Sequence, residues 1–552
     1  MVNFLDACVI GTYNQQMPKK YIKEAIFGIV ITILFFVLLE MICRIFVFPG
    51  SYDYIERRII EHNLPQHKNN GEFRIFLYGE STMHGGALYP HSVIGNWLRM
   101  YLSDLLPEDV MARVTIVNFG RMGANSSFIA HAFAETVDYK PDLAIFYMVH
   151  NDFCLAEHRL ALINKKSLKE TFEDFCEMLP KKSSFLNLLN RSIIRAKIKR
   201  NKARDERLAK EDPWYSESDT PEAFRDEANL LPPGSSELKL VASNFQNNVE
   251  MVIKTAQRRA IPVIFFEGLS RWKDYEPIRS VHNAQLTENN LQDWERSFAA
   301  AEKLFFSGEY NNALTVYHQC IGRDPSYALT YYRAAQCYEG IGEYKKANEY
   351  YVIANDNDNF PVRAPSLVNR FYEKIRLSGV KGVDVIPTQE LIESYSSNGI
   401  VDEELTIDQI HPSPEGQAIM ALAIVKIIYD KGMLTSRERW RWDKLRSIDL
   451  LKETINLNKE RMFSIYTGTA SYITKYYSQA AKFLEKALAI KPGSIFVRSW
   501  LAWTYWKMGE ADKAVSLYRD LYTENRSQAI IFFKRHPDIE DRVMKSVAAQ
   551  PS

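Results

Sequence analysis

Three residues of this sequence have the types and the spacing of a nucleophile and the pair that activates it. Ser81 directly follows an apolar run and a Gly-Glu dipeptide, which predicts a serine hydroxyl presented in a tight turn. Asp408 and His411 are three residues apart, just ahead of Ser413 and Pro414, which are typical of a helix start. In a loop, that spacing lets the carboxylate reach one imidazole nitrogen while the other nitrogen faces the serine.

Two further segments have residue types that would stabilise the oxyanion produced by attack on a carbonyl group. Gly123 lies in a glycine-bearing loop, 120–125, whose N–H groups can approach a substrate closely. Asn151 lies in the segment 150–152, and its side-chain amide would donate to the same oxyanion. The turn at Ser81 would add its backbone N–H groups and the dipole of the helix that begins there.

These residues are distributed along a pattern of short apolar runs that alternate with amphipathic segments. This pattern predicts an α/β fold in which helices cover a parallel sheet, with the chemistry in loops at the carboxyl ends of the strands. The predicted strands are Phe73–Tyr78, Val114–Phe119, Leu143–Val149, Ile261–Phe266 and Val383–Pro387. The predicted helices between them are His91–Leu106, Phe128–Val137, Leu238–Arg259 and Ala364–Leu377.

Four segments carry these residues in chain order: the turn at Ser81, the loop of Gly123, the segment of Asn151, and the Asp408–His411 segment. As an ordered set they resemble the four sequence blocks of the SGNH hydrolases, also called the GDSL esterase and lipase superfamily. The resemblance covers residues 72–432 and implies a flavodoxin-like parallel sheet with helices on both faces. Ser81 resembles the nucleophile, and Asp408 and His411 resemble the orienting acid and the general base. The N–H groups of Ser81 and Gly123 and the side chain of Asn151 resemble the oxyanion donors. The implied activity is ester hydrolysis through an acyl-serine, with no cofactor and no metal.

Two residues depart from the family pattern. Glu80 stands where aspartate is usual, and Val149 stands where the third block normally has glycine. A β-branched residue at this position narrows the backbone freedom beside Asn151. The segment 150–153 also resembles the third block of membrane-anchored SGNH proteins that carry tetratricopeptide repeats.

Two pairs of repeats with a 34-residue period are present. One pair, at 290–360, interrupts the predicted hydrolase domain, and its Gly308-Glu309-Tyr310 recurs as Gly342-Glu343-Tyr344. The other, at 448–530, includes Ala480 and Ala514 at the same step. Both resemble all-α tetratricopeptide repeats, which imply a protein partner bound in a concave groove.

A long insertion, 154–237, is predicted to be helical and strongly charged. Nine lysines and arginines lie between Arg191 and Lys210, and they fit either a solvated helix face or a patch for anionic headgroups or an acidic glycan. The cysteine pairs Cys154 with Cys176 and Cys320 with Cys337 fit either disulfides or buried thiols.

An apolar run near the N-terminus predicts one transmembrane helix over residues 25–47, because about 20 such residues span a bilayer. Lysines precede the run, so the positive-inside rule favours a cytoplasmic segment 1–24 and a catalytic domain outside the cytoplasm.

The composition excludes a globally basic nucleic-acid binder, since 69 basic and 68 acidic residues give a net charge of +1 in 552 residues. Three functions agree with the motifs. The first is a membrane-anchored serine esterase acting on a small-molecule or glycan ester, such as an O-acyl group on a carbohydrate or lipid. The others are an O-acyltransferase of an envelope or exopolysaccharide that uses the same residues, and a repeat-based scaffold with weak catalysis.

Overall fold

A five-stranded parallel sheet lies at the centre of the chain, in the order β2-β1-β3-β4-β5. The computed structural model describes residues 28, 30–32, 34, 35, 38, 51–89, 92–154, 230–454, 463, 466, 467 and 477–524. The chain divides into two units, one of residues 1–63 with 166–214 and one of residues 64–165 with 215–552, and the sheet belongs to the second. The strands are β1 Phe73–Gly79, β2 Val114–Asn118, β3 Leu143–Tyr147, β4 Val263–Phe266 and β5 Val383–Ile386.

All five predicted strands are present, and every neighbouring pair is parallel. In the register of the sheet, Phe76 is opposite Val117 on one side and Ala144 on the other. This strand order is the doubly wound arrangement of flavodoxin-like sheets, so the predicted fold class of the central domain is confirmed. β3 ends two residues before the prediction, because the N–H of Val149 leaves the ladder and donates to the Glu80 carboxylate.

Helices precede the first strand, connect the strands and continue beyond the last one. They are α1 Ser51–Glu61, α2 Ser81–His84, α3 Ile94–Leu105, α4 Glu108–Met111, α5 Ser126–Thr136, α6 Asn151–Cys154, α7 Ser236–Arg259, α8 Glu288–Phe306, α9 Tyr310–Arg323, α10 Ala328–Gly340, α11 Tyr344–Asp356, α12 Ser366–Ser378, α13 Thr388–Glu393, α14 Pro414–Asp430, α15 Ile448–Thr454, α16 Tyr477–Ile490, α17 Ile495–Lys507 and α18 Ala511–Glu524. Short 3₁₀ turns occupy Gly86–Leu88, Val137–Tyr139, Arg437–Arg439 and Trp442–Lys444.

Capping side chains explain where three of the predicted helices begin. α5 starts two residues before the prediction, because the Asn125 side chain accepts a hydrogen bond from the N–H of Phe128. α7 also starts two residues early, since Ser235 caps it in the same way. The predicted start of α14 is confirmed: Ser413 accepts from the N–H of Gly416, and Pro414 is the first helical residue.

Helices cover both faces of the sheet, as predicted. On one face, Tyr78 of β1 packs edge-on against Phe133 of α5, and α5 packs against α7. On the other face, α3 lies so close to the sheet that a Cβ at Gly95 would be 2.9 Å from the Leu77 side chain, and α3 packs against α14. Phe76, Tyr78 and Leu77 are fully buried, so the core continues through both layers.

The repeats form all-α modules, as predicted. Helices α8–α11 pack each against the next, and so do α16–α18. The glycine of the Gly-Glu turn has the same left-handed backbone each time, with φ of 81° at Gly308, 80° at Gly342 and 81° at Gly509. Such angles favour glycine, which explains its recurrence at the 34-residue step. Cys320 and Cys337 are buried thiols in the inserted module and are not joined.

Several predictions fall wholly or mostly on residues outside the described parts of the chain. These are the cytoplasmic segment 1–24, most of the predicted span 25–47, the charged insertion 154–237 from residue 155 to 229, and Cys176. Within the described residues, no helix combines the length and the apolar character needed to cross a membrane.

Candidate active site

The structure brings Ser81, His411 and Asp408 together in one hydrogen-bonded chain. The Ser81 Oγ lies 2.6 Å from His411 Nε2, and His411 Nδ1 lies 2.6 Å from Asp408 Oδ2. All three residues are buried at the carboxyl edge of the sheet, with between 2% and 8% of their surface exposed. Because an ionised carboxylate only accepts, Nδ1 carries the imidazole proton and Nε2 is the acceptor for the serine hydroxyl.

Asp408 is held in its ionised form by its surroundings. Burial alone raises the pKa of this carboxyl, but the His411 imidazole and the N–H groups of Ile410 and His411 outweigh it, so the net pKa is lowered. Its Oδ1 accepts both of these N–H groups at 2.8 Å, and its Oδ2 faces the imidazole. The carboxylate therefore fixes the orientation of the imidazole ring.

Asp408 and His411 lie in a tight hairpin, residues 403–413. Thr406 and Pro412 form an antiparallel bridge, and the N–H of Ile407 donates to the carbonyl of His411 at 2.9 Å. At the base of the hairpin, the Ser413 hydroxyl donates to the carbonyl of Glu404 while its oxygen caps α14. A rigid hairpin anchored to a helix start thus presents the imidazole to Ser81.

Ser81 begins α2 directly after β1, as the turn prediction implied. Gly79 is required at this point, because a Cβ there would be 2.7 Å from the Tyr147 carbonyl oxygen of β3. The helix is only four residues long and ends at Gly85, whose φ is 107°. A single turn has few aligned peptides, so the expected help from a helix dipole is small, and the individual N–H groups matter more.

Glu80 organises the backbone of the third loop. Its carboxylate accepts hydrogen bonds from the N–H groups of Val149, His150 and Asn151, which places this loop beside Ser81. Burial raises the pKa of Glu80 to about 8, and the nearby Asp152 adds to the rise, while the three N–H donors act in the opposite direction. The glutamate at position 80, where the family pattern has aspartate, thus supplies a side chain that reaches from the turn before Ser81 to the loop 149–151.

Asn151 is hydrogen-bonded to Ala124, the residue that follows Gly123. Asn151 Nδ2 donates to the carbonyl of Ala124 at 2.8 Å, so the second and third loops are joined at the predicted oxyanion donors. Gly123 has a φ of 68°, and a Cβ there would meet nothing within 4 Å, so backbone conformation and not crowding requires glycine. The Asp152 carboxylate reinforces the junction by accepting from both the N–H and the hydroxyl of Ser126.

The second departure from the family pattern is accommodated by a neighbouring glycine. Val149 is fully buried, and a Cβ at Gly268 would be 2.5 Å from the Val149 side chain. Gly268 follows β4, so the space that a side chain would occupy there is filled by Val149 instead. The valine thus packs without displacing the N–H that donates to Glu80.

His150 has a structural environment. Its Nδ1 accepts from the N–H of Ala364 at 3.1 Å, and its Nε2 lies 3.1 Å from the Tyr147 hydroxyl, which accepts from the N–H of Leu269. Burial, with a smaller contribution from His411, lowers the pKa of His150 to about 3. His150 is therefore neutral and joins the third loop to the chain that follows the inserted repeats.

Ser81, His411 and Asp408 are thus joined in hydrogen-bonded order, and Asn151 is linked to the residue after Gly123. The motifs did not assign three supporting residues: Glu80 as an acceptor, Asp152 and Gly268. Glu80 carried a signal, because it was an exception to the family pattern. Within the described residues, no cluster of three or more histidine, cysteine, aspartate or glutamate side chains has the arrangement of a metal site. Chemically, the arrangement can deprotonate a serine hydroxyl through the imidazole that contacts it.

No family model and no curated protein sequence matches this chain. Several solved structures do match it. A protein described as an acylhydrolase from Bacteroides fragilis is 10% identical with a TM-score of 0.30, over 68% of this chain and 95% of that chain. A GDSL-like lipase from Bacteroides thetaiotaomicron is 11% identical with a TM-score of 0.29, over 69% and 99%. A tetratricopeptide repeat protein from Thermus thermophilus is 15% identical with a TM-score of 0.15, over 44% and 97%. The structural neighbours thus include GDSL-like hydrolases and tetratricopeptide repeat proteins.

Proposed function

We propose that this protein is a serine esterase of the SGNH type that works through an acyl-serine. The observation that carries the proposal is the 2.6 Å contact between Ser81 Oγ and His411 Nε2, with Asp408 on the other imidazole nitrogen. His411 takes the proton of Ser81 as the hydroxyl attacks the ester carbonyl, and Asp408 stabilises the imidazolium. His411 then gives that proton to the leaving alkoxide, and water activated by the same imidazole releases the acid.

The oxyanion of each tetrahedral intermediate is proposed to lie among three donors. These are the N–H groups of Ser81 and Gly123 and the side-chain amide of Asn151. The support for this assignment is the pair of links that joins their loops, from Glu80 to the N–H of Asn151 and from Asn151 to Ala124. One such donor typically contributes about 3 to 4 kcal/mol of transition-state stabilisation.

Labelling with a fluorophosphonate tests the proposal, because this probe reacts only with an activated serine. The full-length chain is expected to be labelled once, at Ser81, and Ser81→Ala is expected to show no labelling. Ser103→Ala is the matched control, since Ser103 is exposed and bonds only within its own helix. A folded wild-type protein that resists labelling would contradict the proposal.

As substrate we propose an O-acyl ester of a carbohydrate or a lipid. The same site becomes an acyltransferase when a sugar hydroxyl, instead of water, attacks the acyl-serine. A panel of acetylated sugars, short-chain aryl esters and lysophospholipids, with and without acceptor sugars, separates these outcomes. Free acid as the sole product indicates hydrolysis, whereas an acylated acceptor indicates transfer.

We also propose that the run 25–47 anchors the chain in a membrane with the catalytic domain outside the cytoplasm. The support is its apolar sequence. Extraction of membranes with alkaline carbonate should leave the chain in the pellet, and external protease should degrade the catalytic domain in cells whose outer barrier is opened. Release by carbonate, or protection from the protease, would contradict the anchor and the topology respectively.

The inserted repeats are the proposed docking site for a protein partner. The observation in favour is a cavity of about 350 Å³ between these repeats and the loop after β4, lined by residues that include Lys273, Asp274, Tyr310 and Tyr344. In cells, Tyr310→Ala with Tyr344→Ala is expected to abolish partner recovery while leaving labelling of Ser81 intact. Recovery of the partner by this double variant at the wild-type level would contradict this site.

A further inference from the structure

The C-terminal repeats contact the hairpin 403–413, which carries Asp408 and His411. Lys482 of α16 lies 3.3 Å from the Glu403 carboxylate at the base of the hairpin. Tyr466, between α15 and α16, packs against Ile407, the residue before Asp408. Two parts of the C-terminal region thus contact the hairpin directly, at its base and beside its functional turn.

A third contact reaches the hairpin through Arg271. The backbone N–H of Arg271 donates to the carbonyl of Gln409, inside the turn between Asp408 and His411, at 2.9 Å. Its guanidinium Nη2 lies 2.7 Å from Asp274, 3.5 Å from the Gln479 Oε1 of α16, and 4.0 Å from Glu403. Arg271 therefore connects the turn of the hairpin, its base and the C-terminal repeats.

The position of Arg271 rests on few contacts. The residue is fully buried, and its Nε and Nη1 have no hydrogen-bond partner among the described residues. Its guanidinium lies 5.1 Å from the centre of the Tyr275 ring and otherwise depends on the contacts of Nη2. Burying a guanidinium raises the free energy of the folded state unless the group is paired. Loss of one acceptor is therefore expected to shift the Arg271 side chain toward its remaining partners.

The Tyr466 contact also reaches the serine side of the site. Tyr466 packs against Leu88 as well as Ile407, and both of these residues are buried. Leu88 ends the 3₁₀ turn that starts at Gly86, where a Cβ would be 3.9 Å from both the His411 ring and the Ser81 carbonyl oxygen. One aromatic ring thus supports the segments that flank Ser81 and His411.

From these contacts we infer that the C-terminal repeats are a fixed part of the catalytic unit, with Tyr466, Gln479 and Arg271 acting as positioning residues that hold the 403–413 hairpin against Ser81. This inference rests on the proposed esterase function. It assigns the two repeat modules different roles, since the inserted module is proposed to bind a partner whereas the C-terminal module supports the active site.

The test uses pairs of substitutions in the full-length chain. Tyr466→Ala removes the packing of the ring, whereas Tyr466→Phe keeps it. Gln479→Met removes the acceptor for Arg271, whereas Gln479→Glu keeps an acceptor and adds a negative charge. These residues are preferred to Arg271 itself, whose removal would leave Asp274 without its cation. Phe496→Ala is the matched control, because this ring is 47% exposed in the same module.

Displacement of a catalytic group by a fraction of an ångström lowers turnover more than binding. We therefore expect Tyr466→Ala and Gln479→Met to lower kcat for a short-chain aryl ester by about tenfold each, with KM changed by less than about twofold. The fluorophosphonate labelling rate should fall in parallel, and Tyr466→Phe, Gln479→Glu and Phe496→Ala should stay near the wild-type rate.

Urea unfolding of each variant separates positioning from stability. Variants that are less stable yet turn over normally when folded would overturn the inference, and so would a raised KM with unchanged kcat. If wild-type Ser81 is not labelled at all, the proposed function itself fails. If wild-type is labelled and all the variants match it, only the positioning role fails.

Discussion

The two halves of the candidate active site are built by different means. The half that holds His411 is one hairpin, in which Asp408 accepts hydrogen bonds from residues two and three positions away. The half that holds the oxyanion donors joins loops after three strands. Its links span 71 residues from Glu80 to Asn151 and 27 residues from Asn151 to Ala124.

The two halves are therefore sensitive to different kinds of substitution. The local half keeps its internal hydrogen bonds wherever the hairpin is placed, so its weak point is its position relative to Ser81. The long-range half has no local motif that could hold it, so its weak point is each side chain that crosses between loops. Substitutions can be chosen to separate these two kinds of dependence.

The largest effect is expected from Asp408→Asn. The neutral amide carries no charge to stabilise an imidazolium, and its NH₂ group can hold the imidazole in the wrong tautomer, so kcat for an aryl ester should fall by about 10⁴-fold. Asp443→Asn, at a carboxylate 71% exposed beside Lys444, is the control and should leave kcat unchanged. A loss smaller than about tenfold would mean that the local half is not the proton-handling part.

A smaller loss is expected from Asn151→Ala in the other half. Removing the proposed side-chain donor should lower kcat by about 10²- to 10³-fold. The free energy of unfolding should fall by about 1 to 3 kcal/mol, because the buried carbonyl of Ala124 loses its donor. Asn312→Ala, whose side chain bonds to Glu309 on the surface of α9, serves as control. Full activity of Asn151→Ala would remove the side-chain donor from the proposed oxyanion site.

Glu80→Asp tests whether reach alone matters in the long-range half. Aspartate is one methylene shorter, so it should release the N–H groups of the third loop and lower kcat by about 10²-fold. The same shortening in the exposed first turn of α4, Glu108→Asp, should have no effect. Unchanged turnover in Glu80→Asp would show that the third loop holds its shape without this acceptor.

The smallest effect concerns stability and pH, at His150. Its folded pKa is about 3 against an ordinary value of 6.5, so the folded state keeps the ring neutral. Above pH 6.5 the ring is neutral in both the folded and the unfolded chain, so its contribution to the free energy of unfolding is fully retained. As the pH falls from 6.5 toward 3, the unfolded chain binds a proton that the folded protein does not, so the free energy of unfolding decreases. Between pH 7 and pH 5 the loss is about 2 kcal/mol, and His150→Gln should lack it.

Urea unfolding at the two pH values measures the His150 effect. His131→Gln, at an exposed histidine, should keep the wild-type dependence. An equal fall in stability for His150→Gln and the wild-type protein would show that the buried imidazole does not link folding to pH.

The contrast between the halves also explains how much could be predicted from the sequence. The strands, the helix start at Ser413 and Pro414, and the Asp408–His411 spacing are local patterns, and each was visible in a few consecutive residues. The resemblance to a family placed Gly123 and Asn151 as well. The role of Glu80 as the acceptor for the third loop was not predicted, because its partners are about 70 residues away.

The contacts of Arg271 with the C-terminal repeats and with Gln409 carried no sequence signal. Its side-chain partner Gln479 is 208 residues distant, and only the folded topology brings the two together. The expected help from a helix dipole at Ser81 was an overestimate for a different reason, since the turn at Gly85 ends α2 after four residues. Local patterns thus predicted which residues meet, and the three-dimensional arrangement decided what supports them.

The order of the chain has a consequence during synthesis. Ser81 is made early, whereas its imidazole partner follows 330 residues later, after the inserted repeats have been translated. At typical rates of 5 to 20 residues per second, about 15 to 65 seconds separate the two on the ribosome. The nascent hydrolase domain therefore holds an unactivated hydroxyl for most of its synthesis, and reactivity arises only when the last part of the domain has emerged.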